Sequence, residues 1–521
     1  MELDFASKVD LIWALLPELV LAASGMAVLL AGVWRTGRPR EGAAEGEAED
    51  MAPDEQPDPT FLGSLALGGL LLTAVVNGWL YGVDEVGVAN MVAVDSFRLF
   101  ANWLFLLGAA LTILVSFPYV TRQRLQVGEF YALILLATVG MMLLGGTRNL
   151  ILIFLGLETM SVAAYVLTGY NRRDRKSAEA GLKYFLLGSF SSAFLLYGIA
   201  LTYGAAGTVN LAGIAEAIAA GTSVPILLVA GIGLLAIGFA FKIAAVPFHM
   251  WTPDVYEGAP SPSTAFMAAA VKAASFVALV RVFLVAFPEV TEHWFGIMWW
   301  LAVLTMVVAN LIAVTQANVK RMLAYSSVAH GGYLLIGLVA VNEMASAGIL
   351  FYLLVYTIMN IGAFGIVMIV ANQGEERLQV EDYAGFGWQQ PALGVFLTIF
   401  LLSLAGFPGT GGFMAKVYLG LGAADAQLWT LLIILVLTTL VSYYYYLRVA
   451  WYMWMRPTPE GEEGRAFPVP MPMRFALAGS AAAILFLGIF PGGILDAAFS
   501  SVEGLLALEP LASGEAAGPG D

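Results

Sequence analysis

Residues 238–251 read "GFAFKIAAVPFHMW", inside an apolar run that begins near Val224. Such a run suits a membrane helix, which needs about 20 apolar residues to cross a hydrocarbon core of roughly 30 Å. Yet it carries an ammonium group at Lys242 and a proline at Pro247. Proline has no N–H, so the carbonyl of Ile243 is expected to lose its helical partner beside the lysine. Broken helices are tolerated at membrane depth only where protein or water re-satisfies the backbone. A charge and a break at one depth therefore point to a polar cavity inside a helix bundle.

The rest of the chain agrees with a bundle in lipid. Of 521 residues, 60% are hydrophobic and only 12% charged, and the mean hydropathy is +0.82. That is too little charge to cover a soluble domain of this size, so the expected class is an all-α, polytopic membrane protein. Cysteine is absent, which excludes thiolate-ligated clusters, zinc–thiolate sites and disulfides. His249, His293 and His330 are scattered, with no HExxH, and GxGxxG, Walker and GxSxG motifs are missing. No bound metal or cofactor and no nucleic acid is expected, and any redox or nucleotide chemistry coupled to this chain lies in other chains. The N-terminus lacks the basic region of a secretory signal, so the first apolar run is expected to remain as a span. The formal charge of −14 is concentrated in the loop 41–58 and the C-terminal tail, read as solvated connectors.

The bilayer ruler gives about fourteen spans, near 11–34, 60–83, 96–117, 129–146, 149–170, 178–205, 224–250, 264–287, 294–316, 322–341, 344–371, 391–421, 427–455 and 472–493. Loops after spans 1, 3, 5, 9, 11 and 13 collect Arg35, Arg38, Arg40, Arg122, Arg124, "RRDRK" (172–176), Lys320, Arg321, Arg377, Arg456, Arg465 and Arg474. The opposite loops hold little beyond Arg98 and Arg148. By the positive-inside rule the first set is cytoplasmic and both termini face the periplasm.

This places Glu158 mid-way along span 5, Lys272 in span 8, and Lys183 one to two turns into span 6. Lys242 and Lys416 lie late in the interrupted spans 7 and 12. An ionisable group at a helix centre costs about 2.5–3.5 kcal/mol to insert, so five of them forfeit on the order of 12–17 kcal/mol unless they pair or line a hydrated cavity. Lysines outnumber the acid four to one, so a single packing bridge to Glu158 cannot satisfy the set. Proton transfer fits better: a free lysine titrates near 10.4, desolvation favours its release, and an approaching carboxylate reverses that. Glu158 is the modulator at the right depth, and His330 in "YSSVAHGGY" (325–333) is either a relay between lysines or a polar packing residue.

A second break, "LAGFPGTGGFMAK" (404–416), sets Pro408 and Gly409 just before Lys416. Interrupted helices at matching places in two halves mark the transport site of inverted-repeat carriers. Spans 4–8 and 9–13 form two sets of five, each with its break in the fourth member. The chain then divides into a three-helix segment with an acidic loop (1–128), two five-helix repeats (129–290 and 291–455) and a C-terminal helix with a polar tail (456–521). Three features take plainer readings. "YYYYLR" (443–448) anchors at the interface or lines a groove, Arg281 snorkels outward, and Asp254 and Glu257 cap or form turns in a Pro-stiffened loop.

The stretch "FKIAAVPFHMWTPDVYEGAPSPSTAFMAAAVKAASF" (241–276) closely resembles the signature of the subunit N family of bacterial NADH–quinone oxidoreductase, respiratory complex I. "NVKRMLAYSSVAHGGY" (318–333), "GFPGTGGFMAK" and Glu158 in "FLGLETMSVAAYVL" (154–167) extend the likeness over about 95–455. The resemblance implies one of the antiporter-like membrane-arm subunits, with fourteen helices and a role in proton translocation in the bacterial inner membrane. It implies that Glu158, Lys183, Lys242, Lys272 and Lys416 are the intramembrane charges of spans 5, 6, 7, 8 and 12. NADH, FMN, iron–sulfur clusters and quinone would then belong to partner subunits, and the other membrane-arm subunits would be this chain's neighbours. A subunit of a multi-subunit cation/proton antiporter is the alternative, disfavoured by "DVYEGAPSPSTAF" after His249. An inert spacer in the membrane arm is the third reading.

Overall fold

The computed structural model describes residues 2–4, 8–36, 59–86, 91–123, 125–221, 223–370, 377–459 and 469–506. The acidic connector 41–58, the end of the C-terminal tail, and Arg38, Arg40, Arg124 and Arg465 lie outside the described residues.

Apolar runs of the expected length become helices, since a backbone in lipid must satisfy its own hydrogen bonds. The chain opens with β1 (Glu2–Asp4), paired in parallel with β2 (Asp84–Val86). Between these strands lie α1 (Lys8–Ala14), α2 (Leu16–Thr36) and α3 (Pro59–Leu80). Next come α4 (Ser96–Arg122), α5 (Val127–Gly145), α6 (Leu150–Thr168), α7 (Arg175–Ala206), α8 (Leu211–Ala220) and α9 (Ile226–Lys242). After α10 (Thr252–Gly258), α11 (Ser261–Phe266) runs through a π turn (Met267–Val271) into α12 (Lys272–Ala286). The second half holds α13 (Thr291–Thr315), α14 (Val319–Ala340), α15 (Glu343–Val370), the short α16 (Phe386–Gln389), α17 (Pro391–Ala405), α18 (Gly411–Asp425) and α19 (Trp429–Met455). It closes with α20 (Met471–Ile489) and α21 (Gly492–Leu506).

Among the described residues, twelve helices are long and apolar enough to cross a membrane. They fall on the expected spans 1–6, 8–11, 13 and 14. Spans 7 and 12 differ in kind: α9 stops at Lys242, and residues 406–410 separate α17 from α18. The break in span 7 thus starts earlier than Pro247 alone requires, and 243–251 are turns. Two helices go beyond the sequence reading. α8 is only ten residues long, and α21 buries Leu495, Ala498, Val502 and Leu505 on one face, at helical spacing.

Asp95, Asn149, Asp174, Asn210 and Asn318 accept backbone N–H bonds as N-caps of α4, α6, α7, α8 and α14. The Asn149 and Asn318 ends share a second feature. Leu150 N donates to Val209 O and Leu211 N to Arg148 O; Val319 N donates to Leu378 O and Val380 N to Ala317 O. Each residue of the second set stands the same number of positions after its counterpart in the first.

Close backbone approach builds the bundle. A Cβ on Gly140 of α5 would sit 2.4 Å from Met160 N of α6, so only glycine lets these helices meet there. α12, α14 and α15 are buried almost throughout and form the centre, whereas α2, α3, α19 and α20 expose apolar faces. At one end of the bundle, two buried arginines are chelated. Arg98 holds both oxygens of Glu18, at 2.7 and 2.8 Å, and Arg281 holds both of Asp95 at 2.7 Å. Arg281 therefore does not snorkel: its side chain is fully buried and also donates to Gly145 O at 3.0 Å. Its acid is the N-cap of α4, just outside the apolar run of that helix.

Candidate functional site

Lys242 is the last helical residue of α9, 5% exposed. Its Nζ donates to Ser161 Oγ at 2.8 Å and Tyr165 Oη at 3.2 Å, both on α6. The carbonyls freed by the break are re-satisfied locally. Ala245 N bonds Ala240 O at 2.8 Å, Ala244 N bonds Phe241 O at 3.0 Å, and the Trp251 indole N–H also reaches Phe241 O at 3.2 Å. Val246 N donates to Thr305 Oγ1 at 2.9 Å. This is the arrangement a membrane-buried break demands.

Lys272 opens α12 directly after the π turn, 2% exposed, a placement often seen at functional positions. Its Nζ donates to the carbonyl of Ser327 at 2.6 Å and to its Oγ at 2.5 Å. His330 stands one turn further along α14. Its Nδ1 meets Tyr352 Oη at 2.5 Å and its Nε2 meets Tyr446 Oη at 3.2 Å. Tyr446 also bonds Ser326. Lys416, 7% exposed, caps the end of α17 through Leu404 O at 3.2 Å and Ala405 O at 3.0 Å. Its Nζ lies 4.9 Å from the centre of the Tyr333 ring.

Among the described residues, no carboxylate pairs with Lys242, Lys272 or Lys416, and Glu158 bonds the Ser192 hydroxyl of α7 rather than any lysine. The packing bridge considered from sequence is thus not formed. Glu158 and Ser161 are nonetheless three residues apart on α6, about 4.5 Å of axial rise. Glu158, Lys242, Lys272, His330 and Lys416 thus form a band of polar groups held in separate sets: Lys242 on the α6 hydroxyls, Lys272 on Ser327, His330 on Tyr352 and Tyr446, and Lys416 on the carbonyls that end α17. Each hydroxyl both accepts and donates, so it can pass a proton as well as hold one.

Lys183 is elsewhere. α7 has 32 residues, about 48 Å of helix, longer than a 30 Å core. The Lys183 side chain is 43% exposed and pairs with Glu179 at 2.8 Å and Asp254 at 3.1 Å. Asp254 also binds Arg321 at 3.0 Å, and Arg321 binds Glu257 at 2.7 Å. Asp254 and Glu257 are thus more than turn formers: they tie α10 to α7 and α14. Burial raises the Asp254 carboxyl, but the hydrogen bonds and charges of Lys183 and Arg321 outweigh that and hold it below its ordinary value. Lys320, expected in a loop, is buried and donates to Glu257 O at 3.1 Å and Ala259 O at 2.8 Å. Lys176, Glu179, Lys183, Asp254 and Glu257 line a cleft of about 180 Å³.

Between this cleft and Lys242 stand aromatic rings. Trp251 stacks on Tyr184 at 4.5 Å and on Phe241 at 5.4 Å, and Tyr184 packs edge-on against Tyr165 at 4.8 Å. Sequence reasoning missed Ser161, Tyr165, Ser192, Ser327, Tyr352 and the stacked ring of Trp251. Of these, only Ser161, after Glu158, and Ser327, before His330, stand one turn from a site residue expected from sequence on the same helix. The "YYYYLR" stretch supplies the groove rather than an anchor at Tyr445 and Tyr446, which are buried.

Residues 147–442 match the family described as NADH:quinone oxidoreductase/Mrp antiporter, TM. A relative from Trichlorobacter lovleyi named NADH-quinone oxidoreductase subunit N is 46% identical over 94% of this chain and 96% of its own length. One of the same name from Salinibacter ruber is 47% identical over 86% and 90%. A chain in the solved structure of respiratory complex I from Thermus thermophilus with bound aureothin superposes with a TM-score of 0.76, at 34% identity, covering 93% of this chain and 99% of that one. Sequence, span pattern and fold agree, and the chain belongs to the subunit N family of NADH–quinone oxidoreductases.

Proposed function

We propose that this chain carries protons across the bacterial inner membrane as a membrane-arm subunit of an NADH–quinone oxidoreductase. Electron transfer from NADH to quinone takes place in partner subunits, which hold the FMN and iron–sulfur clusters. The carrying observation is the set of three buried lysines seated on hydroxyls and carbonyls, with no carboxylate partner among the described residues. A permanently paired charge is locked, whereas an ammonium held only by neutral groups in a dry site exchanges its proton when a charge approaches or leaves.

The route runs along the band. Glu158 modulates Lys242, which hands its proton by way of hydroxyls towards Lys272. Lys272 delivers it through Ser327, Ser326 and Tyr446 to His330, and Lys416 at the second break is the release station. Pro247, Pro408 and Gly409 serve by ending helices where polar backbone and water are needed. Lys183 sits at the mouth of the route rather than on the band. The matched hydrogen-bond pairs between the starts of α6 and α8, and between the start of α14 and residues 378–380, support two repeats of five spans, over 129–290 and 291–455. An odd span count sets them in opposite senses across the membrane. The arginine-rich loops support a topology with both termini on the periplasmic side.

Lys242→Ala in an assembled complex tests this reading. Proton pumping is expected to fall several-fold, together with coupled quinone reduction. Unchanged values of both would leave the chain an inert spacer. A sodium-dependent growth defect with intact NADH oxidation would favour the cation/proton antiporter reading instead.

A further inference from the structure

α10 follows the break after Lys242 and is fastened at both ends. Its C-terminal carbonyls are capped by the buried Lys320 of α14, so that end is fixed. Its other end carries Trp251, whose indole stacks on Tyr184, the residue after the cleft-lining Lys183, and on Phe241, and donates to the Phe241 carbonyl next to Lys242. Asp254, three residues on, receives Lys183 from α7 and Arg321 from α14. The side chains of Lys183 and Asp254 are each 43% exposed and that of Arg321 is 29% exposed, and exposed pairs of this kind are individually weak. The contrast with the fully buried arginine pairs at Arg98 and Arg281 is informative. Those are built to stay shut, whereas pairs bathed in a cleft with room for several waters are built to exchange.

We propose that Asp254, with Lys183 and Arg321, is a latch that holds α10 so that Trp251 seals the cleft from Lys242. Released, the N-terminal end of α10 swings away about its Lys320-capped end, and water from the cleft reaches Lys242. Lys183 and Asp254 are positioning residues: they act through α10 and carry no proton themselves. The proposal rests on the reading of Lys242 as a proton carrier, and it explains why a lysine of span 6 lies away from the buried band.

The absence of cysteine provides the test. Ala245, three residues past Lys242 and 1% exposed, is replaced by cysteine in the assembled complex in membrane vesicles. Its modification by a small methanethiosulfonate reagent is followed as a mass shift on this subunit. Adding Asp254→Asn, which weakens two exposed pairs, is expected to raise the labelling rate about fivefold to tenfold, and Asp254→Glu is expected to keep it near the parent rate. A rate unmoved by Asp254→Asn overturns the latch, and so does a rise that Asp254→Glu shares, which marks local damage. If Asp254→Asn does not assemble, Lys183→Met is read in the same way, with a smaller rise expected and no rise overturning the proposal. Labelling does not depend on pumping, so the latch can fail while Lys242→Ala still shows Lys242 to carry protons.

Discussion

At the residue scale, a charge inside an apolar run is the most legible signal this chain contains. Lys242, Lys272, Lys416 and Glu158 stand out because each would be costly to insert without a reason. Their hydrogen-bond partners were not legible, because serine and tyrosine are tolerated almost anywhere in membrane helices and mark nothing by themselves. The ion pair of Lys183 with Asp254 was not legible either, because Asp254 lies 71 positions away on another helix. The partner of Arg281 escaped notice because Asp95 sits at a helix start, where acids are ordinary caps. That pair yields a stability prediction. Arg281→Met leaves a buried carboxylate uncompensated and is expected to cost about 3–5 kcal/mol, seen as a lower unfolding temperature of the purified complex. Adding Asp95→Asn, which keeps the cap on α4, is expected to recover a substantial part. Equal destabilisation by the single and double variants would show that the ion pair is not what holds this end together. Asp254 behaves differently with pH. Its carboxyl is held low, so its contribution is fully present above the ordinary carboxylate value of about 4 and fades only as the pH falls through the lowered one.

At the element scale, the two interrupted helices are different solutions to one problem. In the first, a lysine ends the helix and is seated by a neighbouring helix. In the second, Lys416 lies after the break and reaches back to cap the helix before it. Proline and glycine in apolar runs announced both breaks, but not which side of each break the lysine would serve. Gly406 and Gly409 separate conformation from contact. Both adopt left-handed backbone, with φ of +84° and +86°, where alanine costs about 1–2 kcal/mol. A Cβ on Gly406 would also lie 3.0 Å from Lys416 Cδ and 3.2 Å from its Nζ, whereas one on Gly409 meets open space. Gly406→Ala is therefore expected to lower both stability and proton pumping several-fold, and Gly409→Ala to lower stability alone. Equal effects of the two on the pumping ratio would remove Lys416 from the route.

At the scale of the whole molecule, apolar run lengths located the spans well, because the bilayer ruler and the backbone's need for internal hydrogen bonds leave few alternatives. α8 and α21 escaped that ruler by being short or amphipathic. The matched hydrogen bonds at the starts of α6 and α14 were equally hidden, since backbone bonds between distant loops leave no trace in composition. Orientation is testable directly. A C-terminal alkaline phosphatase fusion is expected to be active and a C-terminal green fluorescent fusion dark; the reverse pattern would invert the topology and the direction of the proposed route. The most direct test of the whole account is the number of protons pumped per electron by the complex carrying Lys242→Ala, reconstituted in sealed vesicles with the subunit present in normal amount. If the buried lysines seated on hydroxyls and carbonyls carry the proton, that ratio falls below the parent value. A ratio equal to the parent's, with quinone reduction also unchanged, would contradict it.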